Sequence, residues 1–240
     1  MRILAEKALA AGAIGVSTGT AYAPAAAATT EEIIEVCQPM AALGGVYVTH
    51  MRNEDDRILD AMEETFRIGR EVGVPVVISH HKCVGKANHG RSTETLALID
   101  RMSATQQVGL DLYPYIASST VMQAVRAKQS TKVLVTWSKA HPELSGKSLT
   151  EAARSLGLSE EAAVEALKPA GAIYFMMDEA DVQRILAYPT TMVGSDGLPH
   201  DAVPHPRLWG TFPRVLGHYA RDLGLFPLET AVHKMTGLTA

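Results

Sequence analysis

The chain has 240 residues, of which 47% are hydrophobic and 20% are charged, enough for one full-sized core or a substantial part of a larger one. Its net charge of −4 argues against nucleic acid as a partner, because phosphate binding requires a clustered basic face. No segment has the roughly 18 uninterrupted apolar residues of a membrane span, and Cys37 and Cys83 are too few and too far apart for a disulfide framework. We therefore expect a soluble protein of a reducing compartment, most simply the cytoplasm.

The first predicted element is an N-terminal helix that leads into a strand. Glu6 and Lys7 interrupt the apolar run there, so the segment does not have the form of a signal peptide. Short β-branched runs predict five strands, at residues 13–19, 46–50, 74–80, 109–115 and 191–197. Amphipathic stretches predict helices at residues 31–44, opened by Thr30, at 55–72, at 92–103 with Ser92 as its cap, as a short pair within 149–172, and at 178–189.

Strands that alternate with helices predict βα units and a parallel sheet, and hence an α/β fold. Polar or titratable residues end all five strands, and in (β/α)8 barrels the active site lies at that end of the strands. A doubly wound sheet is the alternative, but it would normally carry a glycine-rich phosphate loop, which this sequence lacks. The barrel is therefore favoured. Residues 121–171 are too long for a simple connection and are predicted to form an inserted helical excursion or lid.

Two histidines, His50 and His80, end consecutive predicted strands. Neighbouring parallel strands lie roughly 4.8 Å apart, so the two imidazoles can converge on one metal ion, and zinc accepts such ligands. Asp196, at the end of the last strand, adds a carboxylate at the same rim as a third candidate metal ligand, which could also take a proton from a water that the metal activates. The alternative is that each histidine only caps its strand by a hydrogen bond to a loop. Two histidines on successive strands, together with Asp196, favour the metal.

The residues next to His80 have different expected roles. His81 should point to the opposite face of the strand and is predicted to be structural, whereas Lys82 shares the side of His80 and could face a substrate anion. Cys83 could be a thiolate ligand, but free cysteines are usually packing residues. His89 lies in a loop and is expected to be exposed.

Three further residues could bind a substrate. Tyr113 and Ser119 follow the fourth strand and offer hydroxyl donors to a carbonyl or carboxylate group, although a YPY sequence more often packs around a turn. Arg207 lies in a proline-stiffened loop after Asp196, and its planar guanidinium suits a substrate carboxylate. A surface or structural ion pair is the alternative role for Arg207.

Several motifs in a fixed order carry a resemblance to a known family: GVSTGTAYAP, YVTHMRNE, VVISHHKCVGKANHGRS, LDLYPYIASST, VGSDGLPHD, PHPRLWGTFPRVLGHY and AVHKMTGLTA. Together they cover essentially the whole chain and resemble the D-aminoacylase (N-acyl-D-amino-acid deacylase) branch of the amidohydrolase superfamily. The resemblance implies a metal-dependent (β/α)8 barrel with a small β-sandwich domain and a zinc cofactor. It also implies a hydrolase that converts N-acyl-D-amino acids to a carboxylate and a free D-amino acid.

The resemblance implies roles for single residues as well. His50 and His80 match the zinc ligands of the family's fifth and sixth strands. Asp196 matches the eighth-strand aspartate, a metal neighbour that acts as general base and then protonates the leaving amine. Tyr22 resembles a residue that lines the side-chain pocket. Four residues fall where the family contacts substrate, with the arginine suited to the α-carboxylate: Lys82, Tyr113, Ser119 and Arg207.

The chain departs from the family in one respect. The family's first strand carries an H-x-H pair with a cysteine ligand downstream, and this sequence has no H-x-H. We therefore expect residues 1–240 to be a C-terminal part of the barrel, about strands four to eight, without the N-terminal strands and most of the β-sandwich domain. Open strand edges predict self-association or a complementing chain. A catalytically incomplete fragment is thus the second hypothesis, and a related enzyme, an N-acyl-D-Glu or N-acyl-D-Asp deacylase or a cyclic amidase, is the third.

Overall fold

Strands and helices alternate through most of the structure. The computed structural model describes all 240 residues. Its helices and strands follow one another in this order: α1 (Arg2–Ala10), β1 (Gly15–Gly19), α2 (Thr30–Cys37), α3 (Met40–Leu43), β2 (Val46–His50), α4 (Ile58–Val72), β3 (Val76–Ile78), α5 (Ser92–Ser103), β4 (Val108–Leu112), β5 (Ala117–Val121), α6 (Ala124–Gln129), β6 (Lys132–Ser138), α7 (Leu149–Leu156), α8 (Glu160–Leu167), β7 (Ala170–Phe175), α9 (Glu179–Ala187), β8 (Thr191–Val193), α10 (Arg207–Arg214) and α11 (Leu228–Met235). A π-helical segment, Val215–Asp222, continues α10. None of the helices combines the length and apolar character needed to span a membrane.

Five strands form one sheet in which every neighbouring pair is parallel. The order is β1-β2-β3-β4-β8, with Thr49 opposite Ile78, Ile78 opposite Leu110, and Leu112 opposite Val193. These strands correspond to the five predicted from the sequence, so the α/β fold with a parallel sheet is confirmed. β1 and β8 each pair with one neighbour, which leaves both edges of the sheet open.

Four of the five predicted strands are shorter in the structure, and two of these end beside candidate site residues. β3 ends at Ile78 and β8 ends at Val193, in each case before the polar residue that was expected to close the strand. Those residues, His80 and Asp196, have φ angles of +42° and +47°. Because this left-handed conformation does not fit a strand, the chain turns there, at the carboxyl end of the sheet.

Helices cover the sheet with apolar faces. In α4, the side chains of Ile58, Met62 and Phe66 recur every four residues and are fully buried. The helix ends at Gly73, whose φ of 77° gives the left-handed cap that favours glycine. The three side chains belong to a core of 30 buried residues. This core holds the strands in register and so positions their carboxyl ends.

The segment between β4 and α9 contains a second sheet that the sequence analysis did not predict. Strands β5, β7 and β6 lie side by side in antiparallel pairs. They share a second core of 17 buried residues with α7 and α8, which are the predicted pair of short helices. The excursion predicted at residues 121–171 is therefore not only helical. The pattern misses β7 because five consecutive residues of that strand are buried, so its sequence does not alternate.

Two predicted helix boundaries also differ from the observed ones. The helix predicted at residues 31–44 is divided into α2 and α3 near Pro39, which lacks the N–H that a continuous helix needs. Helix α5 begins at Ser92, but Ser92 is not its cap. The capping position is Arg91, and the Ser92 hydroxyl donates to Asp181 Oδ1 instead.

The packing of α4 on the sheet predicts a large effect for one core substitution. Phe66→Ala removes a fully buried ring and leaves a cavity, so we expect the free energy of unfolding to fall by about 3–4 kcal/mol. Phe212→Ala makes the same chemical change at a side chain that is 43% exposed and should cost less than about 1 kcal/mol. Urea denaturation followed by circular dichroism measures both. Equal losses in the two variants would contradict the placement of Phe66 in the core.

Candidate active site

A cavity of about 270 Å³ lies at the carboxyl end of the parallel strands. His50 ends β2, His80 follows β3 and Asp196 follows β8, and all three face this cavity. Every residue that the sequence predicted for the site lines the same space: Tyr22, His50, His80, Lys82, Tyr113, Ser119, Asp196 and Arg207. Parallel pairing is the reason that residues far apart in sequence meet at this rim.

The two histidines are in direct contact. His50 Nδ1 lies 2.8 Å from His80 Nε2, and the rings meet edge to face. Lys82 Nζ, which can only donate, lies 2.7 Å from His80 Nδ1. Burial lowers the pKa of His50 to about 3, which keeps this imidazole neutral near pH 7. Neutral imidazole is the form that binds metal ions.

A buried carboxylate, Glu54, completes this cluster, and the sequence analysis did not single it out. Its Oε1 lies 3.2 Å from His80 Nδ1 and forms an ion pair with Lys82, while its Oε2 lies 3.7 Å from His50 Nε2. Burial alone would raise the pKa of Glu54, but the charge of Lys82 together with the contributions of His50 and His80 holds this pKa well below the usual value. The available signal was a glutamate four residues after a strand-end histidine, but a loop position does not fix where a side chain points.

The donor atoms of this cluster fit a metal ion. His50, Glu54 and His80 each offer one ligand atom, and these atoms all lie within 4.8 Å of one another. His50 Nε2 and Glu54 Oε2 are buried and have no hydrogen-bond partner. Buried polar atoms are normally satisfied, and two imidazoles with a carboxylate form a ligand set that zinc accepts.

Asp196 was predicted as a third metal ligand, and the structure places it beside the cluster rather than within it. Its Oδ2 lies 2.8 Å from Nη1 of Arg207, and its side chain is 40% exposed to the cavity and solvent. The left-handed backbone of Asp196 is uncommon for a residue other than glycine and costs about 1 kcal/mol or more. Such strain is typical of residues held for a function rather than for stability.

The predicted substrate-binding side chains form one wall of the cavity. The Tyr113 ring lies 5.8 Å from Lys82 Nζ and 4.4 Å from the guanidinium carbon of Arg207, so it separates the two cations. Arg207 is fully buried and donates from Nη2 to the carbonyl of Ser119 at 3.0 Å. The hydroxyl groups of Tyr113 and Ser119 and the Nε of Arg207 are buried without partners. Burial raises the pKa of Tyr113, which keeps its hydroxyl a donor.

Tyr22 contacts His50 in the cavity, and His205 contacts the backbone of Arg207. The Tyr22 ring lies 4.7 Å from the His50 ring, and its hydroxyl lies 3.2 Å from Thr120 Oγ1. His205 Nδ1 accepts the backbone N–H of Arg207 at 2.9 Å and so orders the start of α10. Burial lowers the pKa of His205 to about 3.

Three of the residues near His80 in the sequence do not line the cavity: His81, Cys83 and His89. His81 is fully buried and hydrogen-bonds through Nε2 to Thr95 Oγ1 at 2.9 Å, in line with the structural role predicted for it. Cys83 is buried, and burial raises its pKa to about 12, so it does not offer a thiolate at neutral pH. His89 lies 4.0 Å from Asp178 and is not a member of the cluster of His50, Glu54 and His80.

No family model matches the chain. A curated D-aminoacylase of Alcaligenes xylosoxydans xylosoxydans is 66% identical over 240 residues, which are 100% of this chain and 50% of that protein. An N-acyl-D-aspartate deacylase and an N-acyl-D-glutamate deacylase of the same organism are 56% and 50% identical, and the chain covers 48% and 49% of them. The chain thus spans about half the length of the curated relatives it matches.

Solved structures of similar proteins agree with these matches. A crystal structure of a D-aminoacylase, described as defining a novel subset of amidohydrolases, superposes on all of this chain with a TM-score of 0.96, 66% identity and coverage of 50% of that protein. A second D-aminoacylase structure with the same values is described by its binuclear metal centre. An N-acyl-D-glutamate deacylase of Bordetella bronchiseptica, complexed with zinc and a phosphonate inhibitor, superposes with a TM-score of 0.96 at 48% identity, covering 100% of this chain and 51% of that one.

The buried ion pair predicts a coupled effect on stability. Glu54→Gln leaves the Lys82 ammonium buried without a counter-charge, so we expect a loss of about 3–5 kcal/mol in the free energy of unfolding. The double variant Glu54→Gln/Lys82→Met removes both charges and should regain at least about half of that loss. Urea denaturation of the two variants and of Lys82→Met gives the coupling energy. Strict additivity of the single losses would contradict a direct charge pair.

Proposed function

We propose a function for this protein on the premise that the chain belongs to the D-aminoacylase family of amidohydrolases and corresponds to about half of a full-length member. The proposed reaction is metal-dependent hydrolysis of the amide bond of N-acyl-D-amino acids, which yields a carboxylate and a free D-amino acid. One observation carries the proposal. All eight residues predicted for the site from the sequence line a single cavity at the carboxyl end of the parallel strands.

The proposal assigns the five parallel strands to a (β/α)8 barrel, as about its last five strands. Their order and their shared direction support the assignment, since barrel strands are consecutive and parallel. The excursion between β4 and α9 then acts as a lid. In support, Ser119 and Thr120 of β5 and Arg126 of α6 line the same cavity as the histidines.

In this proposal His50 and His80 hold a zinc ion, with Asp196 as a neighbouring ligand. Glu54 is the other carboxylate within reach of the two imidazoles. When bound, a zinc ion polarises a carbonyl oxygen and lowers the pKa of a water molecule. The N-acyl-D-glutamate deacylase of Bordetella bronchiseptica binds zinc, and its likeness to this chain supports the choice of metal.

The other side chains of the cavity transfer a proton or bind the substrate. Asp196 accepts a proton from the water that attacks the amide carbon, and it returns that proton to the amine nitrogen as the carbon–nitrogen bond breaks. Arg207 binds the α-carboxylate, assisted by the unpartnered hydroxyl groups of Tyr113 and Ser119. Lys82, held by Glu54, adds positive charge beside the reacting group. Tyr22 lines the pocket for the D-amino acid side chain.

The role of Asp196 predicts the outcome of one substitution. In the full 240-residue chain supplied with zinc, Asp196→Asn should lower kcat/KM for N-acetyl-D-methionine by at least about 100-fold, because the amide cannot accept the proton. Asp60→Asn, on the exposed face of α4, is the matched control and should leave the rate unchanged. Release of D-methionine measured by chromatography decides the result. Activity that persists in Asp196→Asn would rule out its role as base.

A second candidate is that the chain is catalytically incomplete and acts with a complementing chain or a second copy. The open edges of β1 and β8 favour it, because each presents unpaired N–H and C=O groups to a further strand. The test measures bound zinc and turnover for the chain alone and for the chain mixed with the unmatched remainder of the Alcaligenes D-aminoacylase. Activity only after mixing supports a complementing chain, and dimers in size-exclusion chromatography with activity support a second copy. Full activity of the monomer refutes this candidate.

The charge of the substrate side chain can be tested in the same assay. Arg126 lines the cavity and has no carboxylate within 4.0 Å, whereas Lys82 and Arg207 are each paired with one. This free cation favours an acidic D-residue, in line with the related N-acyl-D-aspartate and N-acyl-D-glutamate deacylases. A panel of N-acetyl-D-methionine, N-acetyl-D-aspartate, N-acetyl-D-glutamate and a cyclic ureide separates these substrates and the cyclic-amidase alternative.

A further inference from the structure

The two residues with left-handed backbones occupy matching places in the fold. His80 and Asp196 are the only non-glycine residues in the chain with positive φ, and both line the cavity. His80 follows β3 and Asp196 follows β8, and these two strands lie on either side of β4. A strained backbone persists only where its surroundings hold it in place. The carboxyl end of β4 therefore lies between the two turns and can supply a residue that holds one of them.

Asp111, near the end of β4, contacts the first of these turns twice. Its carboxylate Oδ1 accepts the backbone N–H of His80 at 2.9 Å. Its backbone carbonyl accepts the N–H of the next residue, His81, at 2.7 Å. If β3 continued as a strand, a backbone carbonyl of β4 would accept the N–H of His80. The Asp111 carboxylate accepts it instead, so the chain can turn at His80 without leaving that N–H unpaired.

The carboxylate of Asp111 also reaches the strand on its other side. A Cβ atom placed on Gly194 would lie 3.1 Å from Asp111 Oδ1 and 3.6 Å from its Cγ, so a larger residue would press on the carboxylate. Gly194 continues the pairing to β4 by donating its N–H to the Leu112 carbonyl at 3.1 Å. Its φ does not require glycine. Close approach of the Asp111 carboxylate is the reason for a glycine here, two residues before Asp196.

We propose that Asp111 is the positioning residue of this site: its carboxylate, in the space that Gly194 leaves open, fixes the left-handed turn that sets the His80 imidazole 2.8 Å from His50. Asp111 does not line the cavity and acts only through the backbone of His80. The positioning of His80 stands on the geometry alone. Its consequence for metal binding rests on the proposed function.

The test compares Asp111→Ala with Asp111→Asn in the full chain. Asparagine keeps an oxygen that can accept the His80 N–H, whereas alanine does not. The first readout is the set of imidazole ¹⁵N and ¹H resonances of His50 and His80 in zinc-free protein. We expect these to shift in Asp111→Ala and to remain close to wild type in Asp111→Asn. The second readout is zinc affinity, which should weaken by about 10-fold or more in Asp111→Ala and by less than about threefold in Asp111→Asn.

Controls separate positioning from general stability. Asp100→Ala removes a surface aspartate that accepts a bond from Tyr188, and it should change neither readout. If Asp111→Ala does not fold, Gly194→Ala decides, since its added methyl should displace the carboxylate and shift the His80 resonances in a folded protein. Unchanged resonances in the folded alanine variant, or an asparagine variant that behaves like alanine, would overturn the proposal. Absence of zinc binding by the wild-type chain would count against the proposed function, and the resonances would still decide the role of Asp111.

Discussion

Parallel pairing of neighbouring strands is the constraint on which the cavity depends. It brings the carboxyl ends of β2, β3 and β8 to one rim, so that His50 and His80, thirty residues apart in the chain, lie in direct contact. A shift of one residue in this register would turn each side chain to the other face of its strand. The register is held by the core of 30 buried residues beneath the rim. The apolar packing of the helices on the sheet thus determines the geometry of His50 and His80, although these two side chains are not part of that core.

The two buried cations of the cavity, Lys82 and Arg207, are each paired with a carboxylate. Glu54 compensates Lys82, and Asp196 compensates Arg207. An unpaired charge at these depths would cost several kcal/mol, on the order of 3–5 when one partner is removed. Several buried polar atoms nevertheless lack partners, among them His50 Nε2, Tyr113 Oη and Ser119 Oγ. Buried polar atoms normally have hydrogen-bond partners. Unpartnered atoms in a cavity are therefore consistent with a site where the atoms of a bound ligand supply the missing partners.

The antiparallel sheet supplies the second wall of the cavity. Arg207, at the start of α10, donates to the carbonyl of Ser119 on β5, which ties the loop after β8 to the excursion. His205 holds the backbone of Arg207 at the same point. The parallel sheet therefore carries the histidines, and the excursion holds the arginine in the same cavity. Both halves of this arrangement lie within a chain that spans about half the length of its relatives.

The sequence alone was sufficient for features that depend on local pattern. Alternation of β-branched runs with amphipathic stretches determined the five parallel strands, and polar residues at their ends marked His50, His80 and Asp196. Residue type and position made Lys82, Tyr113, Ser119 and Arg207 candidates for substrate binding, and the resemblance of motifs added Tyr22. The antiparallel strand β7 was not predicted, because a continuously buried strand does not alternate between apolar and polar residues.

Glu54, Asp111 and the left-handed turns were decided only by tertiary structure. A loop residue such as Glu54 has no periodicity that directs its side chain, and its partner Lys82 lies on another segment. The turn at His80 depends on Asp111 from the neighbouring strand and on the space beside Gly194 from the next. The residue types at strand ends are local properties that a sequence records. Which of these residues form an ion pair, a hydrogen bond or a turn with one another depends on contacts between distant segments, and only the packed fold brings those segments together.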